Sequence, residues 1–218
     1  MISILMPLYN GIEFIDESIT SVKNQTHKEW ELIIGINGYE ENSETFKKAQ
    51  KYETDKIHVY DLYTIKGKSN ALNEMLKLCK YDWVSILDVD DKWHEEKLEK
   101  QVPLMNTFDV IGTNCQYFGD SQAIPQLPLG IVSNFDFTKY NPIINSSCLV
   151  KKELCHWDDQ HEGVEDYDMW LRLRKDNKAF FNLVQILVYH RIHNSSAFNA
   201  KGNSNHVHDL LAKYTNNS

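Results

Sequence analysis

The chain is short of several things, and each shortage removes a class of function. No apolar stretch approaches the roughly 20 residues that a membrane-spanning helix requires. The opening "MISILMPLYN" has neither a basic start nor a small-residue cleavage site, so it reads as a first core strand. Positive charge is in deficit: 23 Lys and Arg stand against 31 Asp and Glu, a formal net charge of -8. The basic residues are scattered, without an arm or block, which argues against a nucleic-acid binder. Only four cysteines occur, Cys79, Cys115, Cys148 and Cys155, with no CxxC pair and no zinc-like spacing. They read as free thiols in a reducing compartment, and the sequons at Asn24, Asn145 and Asn194 as chance matches. What remains is a cytoplasmic protein, one domain of 218 residues, long enough to bury a proper core.

What is present is an alternation. "SILMPLY" (3–9) is an apolar strand closed by Asn-Gly, and apolar residues at Ile15, Ile19 and Val22 follow at helical spacing. "WELIIGI" (30–36) and "KIHVYDL" (56–62) are further strands, with a helix over 43–53 between them. "KSNALNEMLKLC" (68–79) is an amphipathic helix, and "WVSIL" (83–87) a fully apolar strand. Strands alternating with helices predict an α/β fold, an open and mostly parallel sheet with helices on its faces. Ligands of such sheets lie beyond the carboxyl ends of the strands. After residue 103 the texture changes. Strands are expected at 109–118 and 144–152, a long loop around Pro125 to Gly130, and a helix over 165–175. "FFNLVQILVYHRIH" (180–193) should end the ordered core, leaving a polar tail.

The strand "WVSIL" runs directly into Asp88, Asp90 and Asp91. In an extended segment, side chains two apart point the same way, so Asp88 and Asp90 can converge on one point. Hard oxygens on a short loop suit Mg²⁺ or Mn²⁺, which keeps positions for water and phosphate oxygens. The competing reading is an acidic turn, with Asp91 as N-cap of a helix over "KWHEEKLEKQ" (92–101).

Six blocks together resemble the family 2 glycosyltransferases. "SILMPLYNG" is similar to the family's opening strand, "IDESITSVKNQTHKEWELIIG" to its first helix and second strand, and "GKSNALNEML" to its donor-loop segment. "WVSILDVDDKW" resembles its metal motif, "EDYDMWLRL" its catalytic helix and "YHRIHNSSAF" its closing segment. The likeness runs from about residue 3 to 198, in the family's order. It implies a GT-A fold: a Rossmann-like mixed sheet with a nucleotide-sugar half (about 1–105), an acceptor half (about 106–200) and a tail (201–218).

The resemblance also implies roles. One sugar would move, with inversion, from a nucleotide-diphosphate donor, most simply a UDP-sugar, to a hydroxyl of a glycan or glycoconjugate. Pro7 and Tyr9 would hold the base, Asn37 a base edge or ribose, and Lys68 the nucleotide. Asp88 would meet the ribose or the metal, and Asp90 would ligate Mn²⁺ or Mg²⁺ with His193. His190 and Arg191 are weaker candidates. Asp166 would be the general base, with Glu165 and Asp168 as fallbacks, while Trp157, Asp158 and His161 would shape the acceptor side. Two departures bear on the donor: "INGYEENS" replaces an Asp-Asp-Gly-Ser type loop, and Leu72 stands where many relatives have Arg, a loss that Lys68 would offset.

The resemblance leaves room for fusion to or association with other glycosyltransferase domains. Two rivals stand beside this reading. A sugar-phosphate nucleotidyltransferase should open on a Gly-rich basic loop, which "MPLYNGIEF" is not. A silent nucleotide-sugar-binding module has no need of Asp88, Asp90 and Asp166 together.

Overall fold

Four strands with apolar cores build the first half of the sheet. In the computed structural model, which describes residues 1–161, 163–193 and 203–215, they are β1 (Ile2–Leu8), β2 (Trp30–Asn37), β3 (Ile57–Leu62) and β4 (Trp83–Ile86). All pair in parallel, β2 with β1 and β3, and β1 with β4. Every residue of β1 and β2 is buried, which is why both read as unbroken apolar runs: helices cover both faces. Alternate residues face opposite layers. Leu5 and Ile33 pack with α3 (Lys68–Leu78), while Ile4, Met6 and Ile34 pack with α1 (Ile15–Lys23) and α2 (Glu44–Gln50). From β1 the chain moves outward to β2 and β3 and returns to β4 on the other side of β1. The strand ends at β1 and β4 therefore flank the switch point where ligands of such sheets bind.

The second half is irregular. β5 (Lys92–Trp93), β6 (Val110–Gly119), β7 (Gly130–Ile131), β8 (Leu149–Lys151) and β9 (Phe180–Ile192) extend the sheet. The order is β3-β2-β1-β4-β8-β6-β9-β5, with β7 beside β9. β8 runs antiparallel to β4 and β6, so the sheet is mixed. Helix α5 (Glu165–Lys175) buries Met169, Trp170 and Leu173 on the α3 side.

Three expectations change. Residues 92–101 are not one helix: β5 comes first and α4 covers only Lys97–Gln101. Asp91 caps nothing there, because its carboxylate is taken by β9. The strand expected over 144–152 is a 3-10 turn at Asn145–Ser147 followed by the short β8. Where a polar tail was expected, α6 (Asn203–Thr215) buries Leu210 completely. Burial of one such side chain is worth about 2 kcal/mol, enough to dock a short helix. Residues 194–202, which carry the Asn194 sequon and the end of the closing segment, lie outside the described residues.

Candidate active site

The end of β1 and the turn after β2 form one wall. Pro7 is buried in β1 opposite Gly35, in the strand from which Tyr9 emerges, 58% exposed. Tyr9 and Tyr39 stand 6.0 Å apart, tilted to each other. Gly38 has φ +80° and a side chain there would collide with the Tyr9 ring, so the turn needs glycine on both counts. Asn37 is buried, and its amide donates to the Gly67 carbonyl at 3.2 Å. It therefore fixes the loop that leads into α3.

Lys68, the first residue of α3, joins two regions that are distant in sequence. Its ammonium lies 2.8 Å from Asp88 Oδ1 and 3.5 Å from Glu165 Oε1. Burial alone would favour the neutral amine, but the two carboxylates hold Lys68 charged, well above the ordinary lysine range. Burial likewise opposes ionised Asp88, yet Lys68 and then Asn145 keep it below the usual aspartate range. Asn145 Nδ2 donates to Asp88 Oδ2 at 3.1 Å, and the Asp88 amide donates to Ser146 Oγ at 3.1 Å.

The other two acids of the turn diverge. Asp91 is buried and bonded to β9: His190 Nδ1 lies 2.9 Å from Oδ2, and the Arg191 amide donates to Oδ1 at 2.9 Å. Burial alone would discharge His190, but Asp91 carries its imidazole up to about 9. Asp90 meets His193, whose Nε2 is 3.0 Å from Oδ2. Burial and the charges of Asp91 and Asp88 push the Asp90 carboxyl up, against the bond from His193. Arg191 donates to the Asp90 carbonyl at 2.9 Å and stacks between Phe14 and Phe118, each 4.3 Å from the guanidinium carbon. Ser18 of α1 bonds the Val89 and Asp91 carbonyls, tying the turn to the helix behind it.

The first turn of α5 supplies the remaining acids. Glu165 is buried, accepts from the Gly163 amide at 2.6 Å and faces Lys68. Asp168 is buried too, held by Tyr214 Oη at 2.7 Å and Lys213 Nζ at 3.0 Å from α6. Both fallback candidates are thus engaged by protein partners. Asp166 accepts from Asn141 Nδ2 at 3.0 Å, and burial together with the Glu165 charge pushes its carboxyl up to about 6.

The expected acceptor residues fare differently. Trp157 is 1% exposed and belongs to the core under α3, so it offers no platform to a sugar ring. Asp158 and His161 gather around Lys213, at 3.5 and 3.2 Å. Both contacts tie α6 to the rest of the chain. Asn141, Asn145 and Ser146 were not anticipated. Their only sequence signal is an Asn- and Ser-rich stretch, "NPIINSS".

The mixed sheet, with acids at its switch point and more on the first turn of α5, has the GT-A type of glycosyltransferase fold. The family model "Glycosyl transferase family 2" matches residues 3–181, and the chain belongs to that family. It is 31% identical over 210 residues to the O-antigen biosynthesis glycosyltransferase WbnJ of Escherichia coli, covering 90% of this chain and 81% of that one. Among solved structures it resembles S. aureus TarS 1-349 in complex with UDP-GlcNAc, with TM-score 0.78, 17% identity, and 98% and 66% coverage. It also resembles the mannosyltransferase PcManGT of Pyrobaculum calidifontis in complex with GDP-Man and Mn²⁺, with TM-score 0.66, 12% identity, and 90% and 58% coverage. These two likenesses concern the fold.

Proposed function

We propose that this chain moves one sugar, with inversion, from a UDP-sugar to a hydroxyl of a growing glycan. The observation that carries the reading is Lys68, whose single ammonium draws Asp88 at the donor end and the first turn of α5 into one site. The Tyr9 ring, exposed at the end of β1, offers a face to the base. Asp88, already fixed by Lys68, Asn145 and Ser146, suits the ribose and not an ion. The complexes of TarS with UDP-GlcNAc and of PcManGT with GDP-Man support a nucleotide-sugar donor, and the kinship with WbnJ supports a glycan acceptor.

Asp90 and His193 fit a divalent ion such as Mn²⁺ or Mg²⁺. Among the described residues no three His, Cys, Asp or Glu side chains gather as a complete metal site. Such ions ordinarily use one or two protein ligands and fill the rest with water and phosphate. Burial and crowding by Asp91 and Asp88 make the ionised form of Asp90 costly, and a cation there would relieve that cost. When bound, the ion would neutralise charge developing on the departing diphosphate.

Asp166 takes the acceptor proton. As the hydroxyl oxygen attacks the anomeric carbon, the bond from that carbon to the diphosphate oxygen breaks and the diphosphate leaves with the electron pair. The proton passes to the Asp166 carboxylate, which at neutral pH is ionised yet basic for an aspartate. Titration of UDP with and without Mn²⁺ tests the donor end. Equal affinity in both would remove the ion from Asp90 and His193.

A further inference from the structure

Behind the acidic turn lies a buried cation that the proposed chemistry does not use. Lys97, at the start of α4, is fully buried. Its ammonium donates to Ser85 Oγ at 3.1 Å and Gln101 Oε1 at 2.9 Å, and lies 3.8 Å from the centre of the Trp93 ring. Among the described residues no carboxylate pairs with it, and burial pushes its amine down to about 7. A buried, unpaired lysine costs stability, so its persistence calls for a reason.

The three groups it touches hold three consecutive carbonyls. Trp93 Nε1 donates to Ser146 O at 2.7 Å, Gln101 Nε2 to Ser147 O at 2.8 Å, and Ser85 Oγ to Cys148 O at 2.5 Å. Gln101 Nε2 also donates to Ile111 O at 2.7 Å. With its amide nitrogen spent on two carbonyls, Gln101 leaves an oxygen that needs a donor. Ser85 spends its proton on Cys148 and needs a donor too. Charged or neutral, the lysine amine carries at least two N–H donors, so it satisfies both and lets neither group flip. The turn so held carries Asn145 and Ser146, the two side chains that grip Asp88.

We infer that Lys97 is a positioning residue for Asp88, acting through Ser85, Gln101 and Trp93 to clamp the Asn145–Cys148 turn. The inference rests on the donor-end reading of Asp88 given above. The test is Lys97→Met, which keeps length and burial but donates nothing, measured on the full chain. UDP affinity in the presence of Mn²⁺ should fall about tenfold, with donor KM raised, acceptor KM unmoved and a melting temperature close to the parent's, because relief of the buried charge offsets the two acceptors left without a donor. Hydrogen exchange should quicken at the amides of Asp88, Ser147 and Cys148 and stay slow in β1 and β2. Ser85→Ala, a smaller change, should shift UDP affinity and exchange in the same direction. Unchanged affinity and exchange in Lys97→Met, beside weakened binding in Asp88→Asn, would overturn the inference alone. A fall in melting temperature with faster exchange across the whole sheet would mark a general core defect and overturn it as well. Parent-like UDP binding in Asp88→Asn would instead remove the donor role of Asp88, and the inference with it.

Discussion

Two places in the molecule gather three carboxylates within four residues: Asp88, Asp90 and Asp91 after β4, and Glu165, Asp166 and Asp168 at the start of α5. They resolve the crowding in the same way. In each, two acids are absorbed by protein donors, Asp88 and Asp91 by Lys68 and His190, Glu165 and Asp168 by Lys68 and Lys213. The third, Asp90 or Asp166, is pushed toward protonation by burial and by its neighbours. The two differ in what relieves that pressure. Asp90 faces an imidazole and suits a cation, whereas Asp166 faces the neutral amide of Asn141 and suits a proton. In each triplet the member whose carboxyl is pushed up is the one given the chemical role proposed above.

The comparison breaks most sharply at Asp166. Asp166→Asn should lower transfer about 10³-fold with UDP affinity retained, as initial rates and calorimetry would show. Undiminished transfer would remove Asp166 as the base. At the other triplet, Asp90→Asn should remove the Mn²⁺-dependent part of UDP binding, about 100-fold if several kcal/mol of charge stabilisation is lost. A variant that keeps its response to Mn²⁺ would contradict the ion site.

A smaller effect comes from pH. Because the Asp166 carboxyl is raised to about 6, the free protein should lose transfer about tenfold per unit as pH falls below that value. The stability consequence has the opposite sense to that of a salt-bridged acid. With its folded value above the unfolded 3.8, Asp166 costs stability as pH rises through the window from about 4 to 6, and the full cost remains above it. Melting curves of Asp166→Asn should therefore match the parent below about pH 4 and exceed it at neutrality. The least effect on chemistry belongs to Asp168. Asp168→Ala should cost about 2 kcal/mol of stability by releasing Lys213 and Tyr214, while transfer per folded molecule changes only a few-fold. A collapse of transfer at full stability would make Asp168 the base after all.

How much of this was legible in the sequence follows from regularity. The parallel half announced itself because β1, β2 and β4 are buried on both faces and therefore unbroken in hydropathy. Lys68, Asp88, Asp90 and Asp166 stand at the ends of regular elements, where a motif keeps its spacing. Asn141, Asn145 and Ser146 were invisible because they lie in an irregular stretch without periodicity. Trp157 was open to an acceptor or a core reading because residue type does not reveal which side of the surface an indole occupies, and the structure puts it in the core. Helix α6 was passed over as a polar tail. Yet Val207, Leu210, Leu211 and Tyr214 fall at the spacing of a one-sided helical stripe, and all four pack on the core.

Lys68 also bears on redesign of the enzyme. One ammonium serves Asp88, proposed to meet the ribose, and, through Glu165, the helix that carries the proposed base. A mutation chosen there to admit a different sugar nucleotide would detune turnover in the same stroke. Directed evolution of donor preference should therefore start from the walls around Tyr9 and Tyr39, leaving position 68 as it is.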